Sequence, residues 1–289
     1  MAEHSNIHFL AVPAHFREKE RLYLEVRRRE GRVFPDEVVR QLPYVSGSNP
    51  YAKEWRRRKR SFERFLSCCK QLSALRRKKD VERTVPYRVT KSGVVGEDAN
   101  NGNFRILDIG CGNGWMANRL AENPDWDVWA MDVNEEELTQ GARLFGRENL
   151  QFVYADLMSL VPRSPVPEES DPGTGFRGTF DIVVLAASVQ YFPDLKELIF
   201  SLKKCLKPGG EIHILDSPFY KNETARAAAR QRTLEYYSKM GVPEMAAFYY
   251  HHLQADVEQL GGVDLNKTLF VKLLQKIKWL APFPWVVIG

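Results

Sequence analysis

The chain has 289 residues, 44% of them hydrophobic, which is enough for one large domain or a domain with a cap. No apolar run approaches the ~18 residues of a membrane span, and the first ten residues, with Glu3, His4, Asn6 and His8, do not read as a signal peptide. The four cysteines, Cys68, Cys69, Cys111 and Cys205, show neither metal spacing nor a bridge framework, so the sequence predicts no metal site and a reduced, cytoplasmic protein.

The formal charge of +5 is unevenly spread. Residues 1–104 hold 23 Lys+Arg against 13 Asp+Glu, and residues 105–289 hold 19 against 24. The asymmetry predicts two parts: a helical extension or cap over 1–103, and a second unit over 104–289. Asn100-Asn101-Gly102-Asn103 reads as the turn between them.

In chain order, Arg17–Glu30 reads as helical, and Pro35 and Pro43 break the segment after it. From Tyr51 an apolar stripe runs through Trp55, Phe62, Phe65, Leu66, Cys69 and Leu72 at helical spacing, opposite Arg56, Arg57, Lys59, Arg60 and Lys70. Asn49-Pro50 supplies its start. Beyond residue 104 the periodicity switches. Strands are predicted at Arg105–Ile109, Asp127–Asp132, Gln151–Tyr154, Phe180–Ala186 and Glu211–Leu215. Helices are predicted at Trp115–Glu122, after the cap Asn134, and at Leu195–Leu206, the last stopped by Pro208-Gly209-Gly210. Alternation of this kind predicts an α/β, doubly wound, mostly parallel sheet. Pro162–Gly178 reads as a surface loop, and a helical insert is predicted at about 217–260. Trp285–Ile288 reads as a closing edge strand.

The most informative stretch is Ile106-Leu107-Asp108-Ile109-Gly110-Cys111-Gly112-Asn113-Gly114. Its third glycine falls one residue earlier than in the dinucleotide fingerprint Gly-x-Gly-x-x-Gly. A carboxylate, Asp108, stands two residues before the first glycine, which serves a pyrophosphate poorly and a cationic or zwitterionic ligand well. Asp132 ends the next strand, where it can accept from both ribose hydroxyls, and Asp156 follows the third, within reach of an exocyclic adenine amine.

Together with Ala155-Asp156-Leu157, Phe180-Asp181-Ile182-Val183-Val184 and Leu206-Lys207-Pro208-Gly209-Gly210, this set resembles the class I S-adenosylmethionine-dependent methyltransferases over about Phe104–Tyr220. The resemblance implies a seven-stranded Rossmann-like sheet with an antiparallel last strand, S-adenosyl-L-methionine as cofactor and S-adenosyl-L-homocysteine as product. It implies that Asp108 and Gly110, Cys111, Gly112, Asn113 and Gly114 hold the methionine moiety, that Asp132 binds the ribose and Val133 packs on adenine, that Asp156 and Leu157 frame the adenine edge, and that Ala187 lies near the transferred methyl. Asp181 and His213 read as structural residues.

The acceptor has no comparable signature. The chain lacks an Asn/Asp-Pro-Pro-Tyr/Phe motif after the fourth predicted strand and any Pro-Cys dipeptide, which leaves a small-molecule acceptor, aromatic or apolar to suit the tyrosines of the insert. Tyr191 is a candidate to touch the acceptor or the cofactor, and His251 or His252 is a candidate base, none forced by the pattern. The basic runs Arg56–Arg60 and Arg76–Lys79 admit a rival, an RNA- or protein-directed methyltransferase, against the plainer reading of a solvated helix face docked on the acidic second part. A non-catalytic binding module is the third reading.

Overall fold

The computed structural model of the protein describes residues 7–10, 15–83, 103–160, 176 and 178–289. The turn expected at 100–103 and the loop expected at 162–178 lie for the most part outside the described residues.

A short strand, β1 (Ile7–Phe9), precedes helices α1 (His15–Arg29), α2 (Asp36–Gln41) and the long α3 (Ala52–Arg83). The alternating part comprises β2 (Phe104–Ile109), α4 (Trp115–Leu120), β3 (Trp126–Asp132), α5 (Glu135–Leu144), β4 (Leu150–Tyr154), α6 (Leu157–Leu160), β5 (Phe180–Ala186), α7 (Leu195–Cys205) and β6 (Leu206–Leu215). The last part holds β7 (Phe219–Tyr220), α8 (Glu223–Lys239), a 3-10 helix at Pro243–Phe248, β8 (His252–Leu253), α9 (Gln254–Gln259), β9 (Val263–Asp264), α10 (Leu269–Lys276) and β10 (Val286–Ile288).

The main sheet runs β1-β4-β3-β2-β5-β6-β10-β9. The pairs from β1 to β6 are parallel, and β10 is antiparallel to both β6 and β9. Three expectations are corrected here. The sheet has eight strands, not seven, because Ile7–Phe9 adds an edge along Phe152–Tyr154. The strand at the chain's end is not the edge, because Val263–Asp264 pairs outside it. Pro208-Gly209-Gly210 is more than a helix stop: it lies within β6 as a bulge, so that Phe180 pairs with Leu206 while Ile182 pairs with Glu211.

Strand residues alternate between two cores, as period-two geometry demands. Ile106, Val128, Phe152 and Ile182 face a core shared with α3, α4 and α5, into which the stripe residues Trp55, Phe62, Phe65 and Cys69 insert. Leu107, Met131, Val153 and Val183 face α7 and α9. The basic side of α3 docks on acids of the second part: Arg76 meets buried Asp181 at 3.2 Å and Arg77 meets Asp125 at 2.6 Å. Asp181 also accepts from Lys207 at 2.8 Å and from the Arg105 backbone N–H at 2.8 Å, so its role is structural. His213 is a core histidine, its Nδ1 accepting from the Trp285 indole at 3.1 Å. Among the described residues no helix is long and apolar enough to cross a membrane.

The turn after β2 depends on glycine. Gly110 and Gly114 have φ of +71° and +67°, in the left-handed region. A Cβ on Gly114 would also stand 2.5 Å from the fully buried ring of Phe152. Gly114→Ala therefore lowers folding stability by about 1–3 kcal/mol through strain and overpacking. Urea denaturation checks this, and an unchanged midpoint contradicts it.

Candidate active site at the carboxyl edge of the sheet

The carboxyl ends of β2, β3, β4 and β5 open into a cavity of about 620 Å³. Its floor holds Gly110, Cys111, Gly112, Asn113, Asp132, Val133, Asp156, Leu157 and Ala187, all expected from the sequence. Asp108 and Gly114 do not line it. Gly114 serves instead as the left-handed residue before α4. Asp108 is buried behind the loop and borders a void of about 30 Å³ with Arg58, Trp115 and Asp216.

Asp132 organises the floor. Its carboxylate accepts the backbone N–H groups of Gly112 at 2.7 Å, Val133 at 2.7 Å and Asn134 at 2.9 Å, which ties the turn after β2 to the turn after β3. Asn134 then caps α5 by accepting from Glu137 N–H at 3.1 Å, as its position before three glutamates predicts. One lone pair of Asp132, on Oδ2, remains for a ligand. At the end of β5, Ala187 adopts a φ of +57°, a strained conformation for a residue with a Cβ. Ser188 donates to the Ile109 carbonyl at 2.7 Å and so locks β5 against β2 at the cavity.

The roof comes from segments with no motif. Lys19, Tyr23 and Arg27 of α1 line the cavity, joined by Trp55 and Arg58 of α3 and by Tyr237 and Tyr249 of the insert. Lys19 Nζ donates to the Tyr191 carbonyl at 2.9 Å. Burial lowers the Lys19 pKa, and Asp132 and Asp156 work against that shift. Tyr191 stacks edge-on against Tyr23 at 5.6 Å and Tyr249 at 5.8 Å. Burial pushes the Tyr191 phenol up to about 12. His251 and His252 lie outside this cavity, on a neighbouring recess. His251 bonds Thr233 Oγ1 at 2.9 Å and His252 bonds the Val189 carbonyl at 3.3 Å. Burial depresses the pKa of both.

Three buried polar atoms have no hydrogen-bond partner among the described residues: Arg27 Nε, Asp108 Oδ2 and Gln190 Oε1. Arg27 and Gln190 line the cavity, and Asp108 lies just behind its glycine loop. Orphans at one place mark a site built for a polar ligand, because each costs ~1–3 kcal/mol until it is satisfied. A zwitterion with both ammonium and carboxylate groups matches a donor and two acceptors. Among the described residues no cluster of His, Cys, Asp or Glu is arranged to hold a metal ion.

Residues 106–210 match the sequence model of a family described as a methyltransferase domain. Among curated proteins the chain is similar to a malonyl-[acyl-carrier protein] O-methyltransferase of Halalkalibacterium halodurans, 26% identical over 155 residues, 49% of this chain and 54% of that protein. It is also similar to a ubiquinone biosynthesis O-methyltransferase of Erwinia tasmaniensis, 31% identical over 117 residues, 39% of this chain and 42% of the other. The chain spans about half the length of the curated relatives it matches. Among solved structures, a geranyl diphosphate C-methyltransferase from Streptomyces coelicolor A3(2) aligns at 13% identity and a TM-score of 0.42 over 64% of this chain and 68% of that one. Residues 106–210 thus carry the sequence pattern of a methyltransferase domain.

Burial raises the Asp108 carboxyl to about 8, with Asp132 adding to the shift. A carboxyl raised in the fold stabilises it fully below the unfolded value of about 4 and loses that contribution as pH rises through the folded value. In the ligand-free protein, Asp108→Asn removes this dependence. Its denaturation midpoint falls less than that of the wild type between about pH 5 and about pH 9. An identical pH profile in the two proteins contradicts the assignment.

Proposed function

We propose that the chain is an S-adenosylmethionine-dependent methyltransferase acting on a small molecule with an aromatic or apolar body. The observation that carries this reading is the division of one cavity into two walls. One wall is the glycine loop with Asp132 and Asp156. The other is a set of tyrosines, Tyr23, Tyr191, Tyr237 and Tyr249, in mutual ring contact.

Bound there, S-adenosylmethionine would supply an electrophilic sulfonium methyl. Asp132 would accept from a ribose hydroxyl through the free lone pair of its Oδ2, Val133 would pack on the adenine, and Asp156 and Leu157 would border the adenine edge. A ligand ammonium beside the loop of Gly110–Gly114 would be met by the Asp108 carboxyl buried behind that loop, whose ionised form it would favour. Ala187 leaves room for the methyl group because its side chain is a single carbon. The tyrosine wall orients a flat acceptor in line with that methyl and excludes water, which is the main requirement for displacement at such a carbon. In this arrangement residues 1–103 act as the cap and residues 104–289 as the cofactor-binding unit, with the insert at about 217–260 completing the acceptor wall.

The small-molecule reading is favoured over a nucleic-acid substrate because the roof closes the cavity with aromatics, while Arg58, Arg76 and Arg77 are engaged by Glu54, Asp181 and Asp125. Isothermal calorimetry with S-adenosylhomocysteine tests the assignment. The wild type binds, and Asp132→Ala weakens binding by roughly tenfold to a hundredfold, as loss of a charged hydrogen bond to a ribose hydroxyl would do. Absence of binding by the wild type sinks the assignment, and equal binding by the variant removes Asp132 from the ribose site.

A further inference from the structure

Among the described residues, six of the thirteen exposed large hydrophobics fall between 263 and 279. They are Val263, Leu265, Leu269, Leu273, Ile277 and Trp279, at the outer edge of the sheet where β9 is the last strand. Leu269, Leu273 and Ile277 repeat every four residues, so they form one stripe along α10, with exposures of 88%, 56% and 63%. The opposite side holds α10 to the protein: Gln275 Nε2 donates to the Ala281 and Phe283 carbonyls at 3.0 Å. The stripe therefore faces outward on an anchored helix.

The charges that follow β9 in the chain have one sign. After Asp264 the sequence contains no acidic residue, and it contains Lys267, Lys272, Lys276 and Lys278. Lys267 pairs with Glu258 at 3.1 Å, while Lys272, Lys276 and Lys278 are exposed beside the stripe. The basic run of α3 joins the same face. Arg60 lies over the Trp279 ring at 4.2 Å from its centroid, and exposed Arg56 is one turn away along α3. Arg56 and Arg60, which do not line the cavity, thus border the apolar stripe.

We infer that this face docks the protein on an anionic lipid surface, with the α10 stripe entering the headgroup boundary and the lysines and arginines meeting lipid phosphates. An apolar stripe flanked by lysines, with a tryptophan at its margin, is the pattern of a helix that lies in a membrane interface. A second copy of the chain would bring lysine against lysine, which opposes self-association through this face. A nucleic acid would meet the lysines and leave the leucines in water. The proposal is independent of the cavity's ligand.

Co-sedimentation of the full chain with vesicles tests it. The wild type partitions onto phosphatidylcholine vesicles containing phosphatidylglycerol, less so as salt rises, and not onto phosphatidylcholine alone. Leu269→Glu with Ile277→Glu, and separately Lys272→Glu with Lys276→Glu, each reduce partitioning at least about tenfold. All of these side chains are exposed, and an unchanged far-ultraviolet circular dichroism spectrum confirms folding of each variant. No partitioning of the wild type, or equal partitioning of the variants, overturns the proposal. So does a wild-type dimer that the leucine variant dissociates without any vesicle binding, or salt-sensitive RNA binding in place of vesicle binding.

Discussion

One carboxylate holds the working end of this fold together. Asp132 accepts three backbone N–H groups from two different turns, and those turns carry the glycine loop and the start of α5. Backbone groups at these positions have no strand or helix partner, and burying them unpaired would cost free energy comparable to a lost hydrogen bond each. A neutral side chain of similar size cannot accept so many bonds. The same carboxylate therefore maintains the shape of the cavity and presents its remaining lone pair to it. The glycines complete the constraint: only residues without a Cβ can turn the chain beside Ser188 and Phe152 while leaving the loop against the cavity.

A cluster of buried carboxyls surrounds that anchor. Asp108 and Glu137 are both raised by burial, to about 8 and about 7, and Asp132 is raised as well. The cations facing them, Lys19 and Arg27, come from α1 rather than from the sheet. Arg27 approaches Glu137 to 3.7 Å and leaves its Nε without a partner among the described residues. The helix over the cavity is thus held partly by charges that face the carboxyls of the floor.

How much of this is legible in the sequence depends on where each signal resides. Strands buried on both faces carry continuous apolar runs, so β5 is legible to its end residues, Phe180 and Ala186. Asn134 is legible as a cap because capping is a local interaction. Edge strands are not. Ile7–Phe9 and Val263–Asp264 are two or three residues long, and pairing rather than composition makes them strands. Pro208-Gly209-Gly210 resembles a helix stop because a bulge and a helix terminus require the same residue types. The roof is the least legible part. Lys19, Tyr23 and Arg27 meet Tyr191 only through contacts more than 160 positions apart in the chain, and no spacing within α1 announces them.

The proposed function makes the cavity a cofactor site bounded by an acceptor wall. A crystal structure of the full chain with S-adenosylhomocysteine tests it most directly. The ribose is expected within hydrogen-bond distance of Asp132, the adenine between Val133 and Leu157, and the sulfur turned toward Ala187 and Tyr191. Ligand bound elsewhere, or an orientation that places the sulfur away from the tyrosines, would contradict the claim.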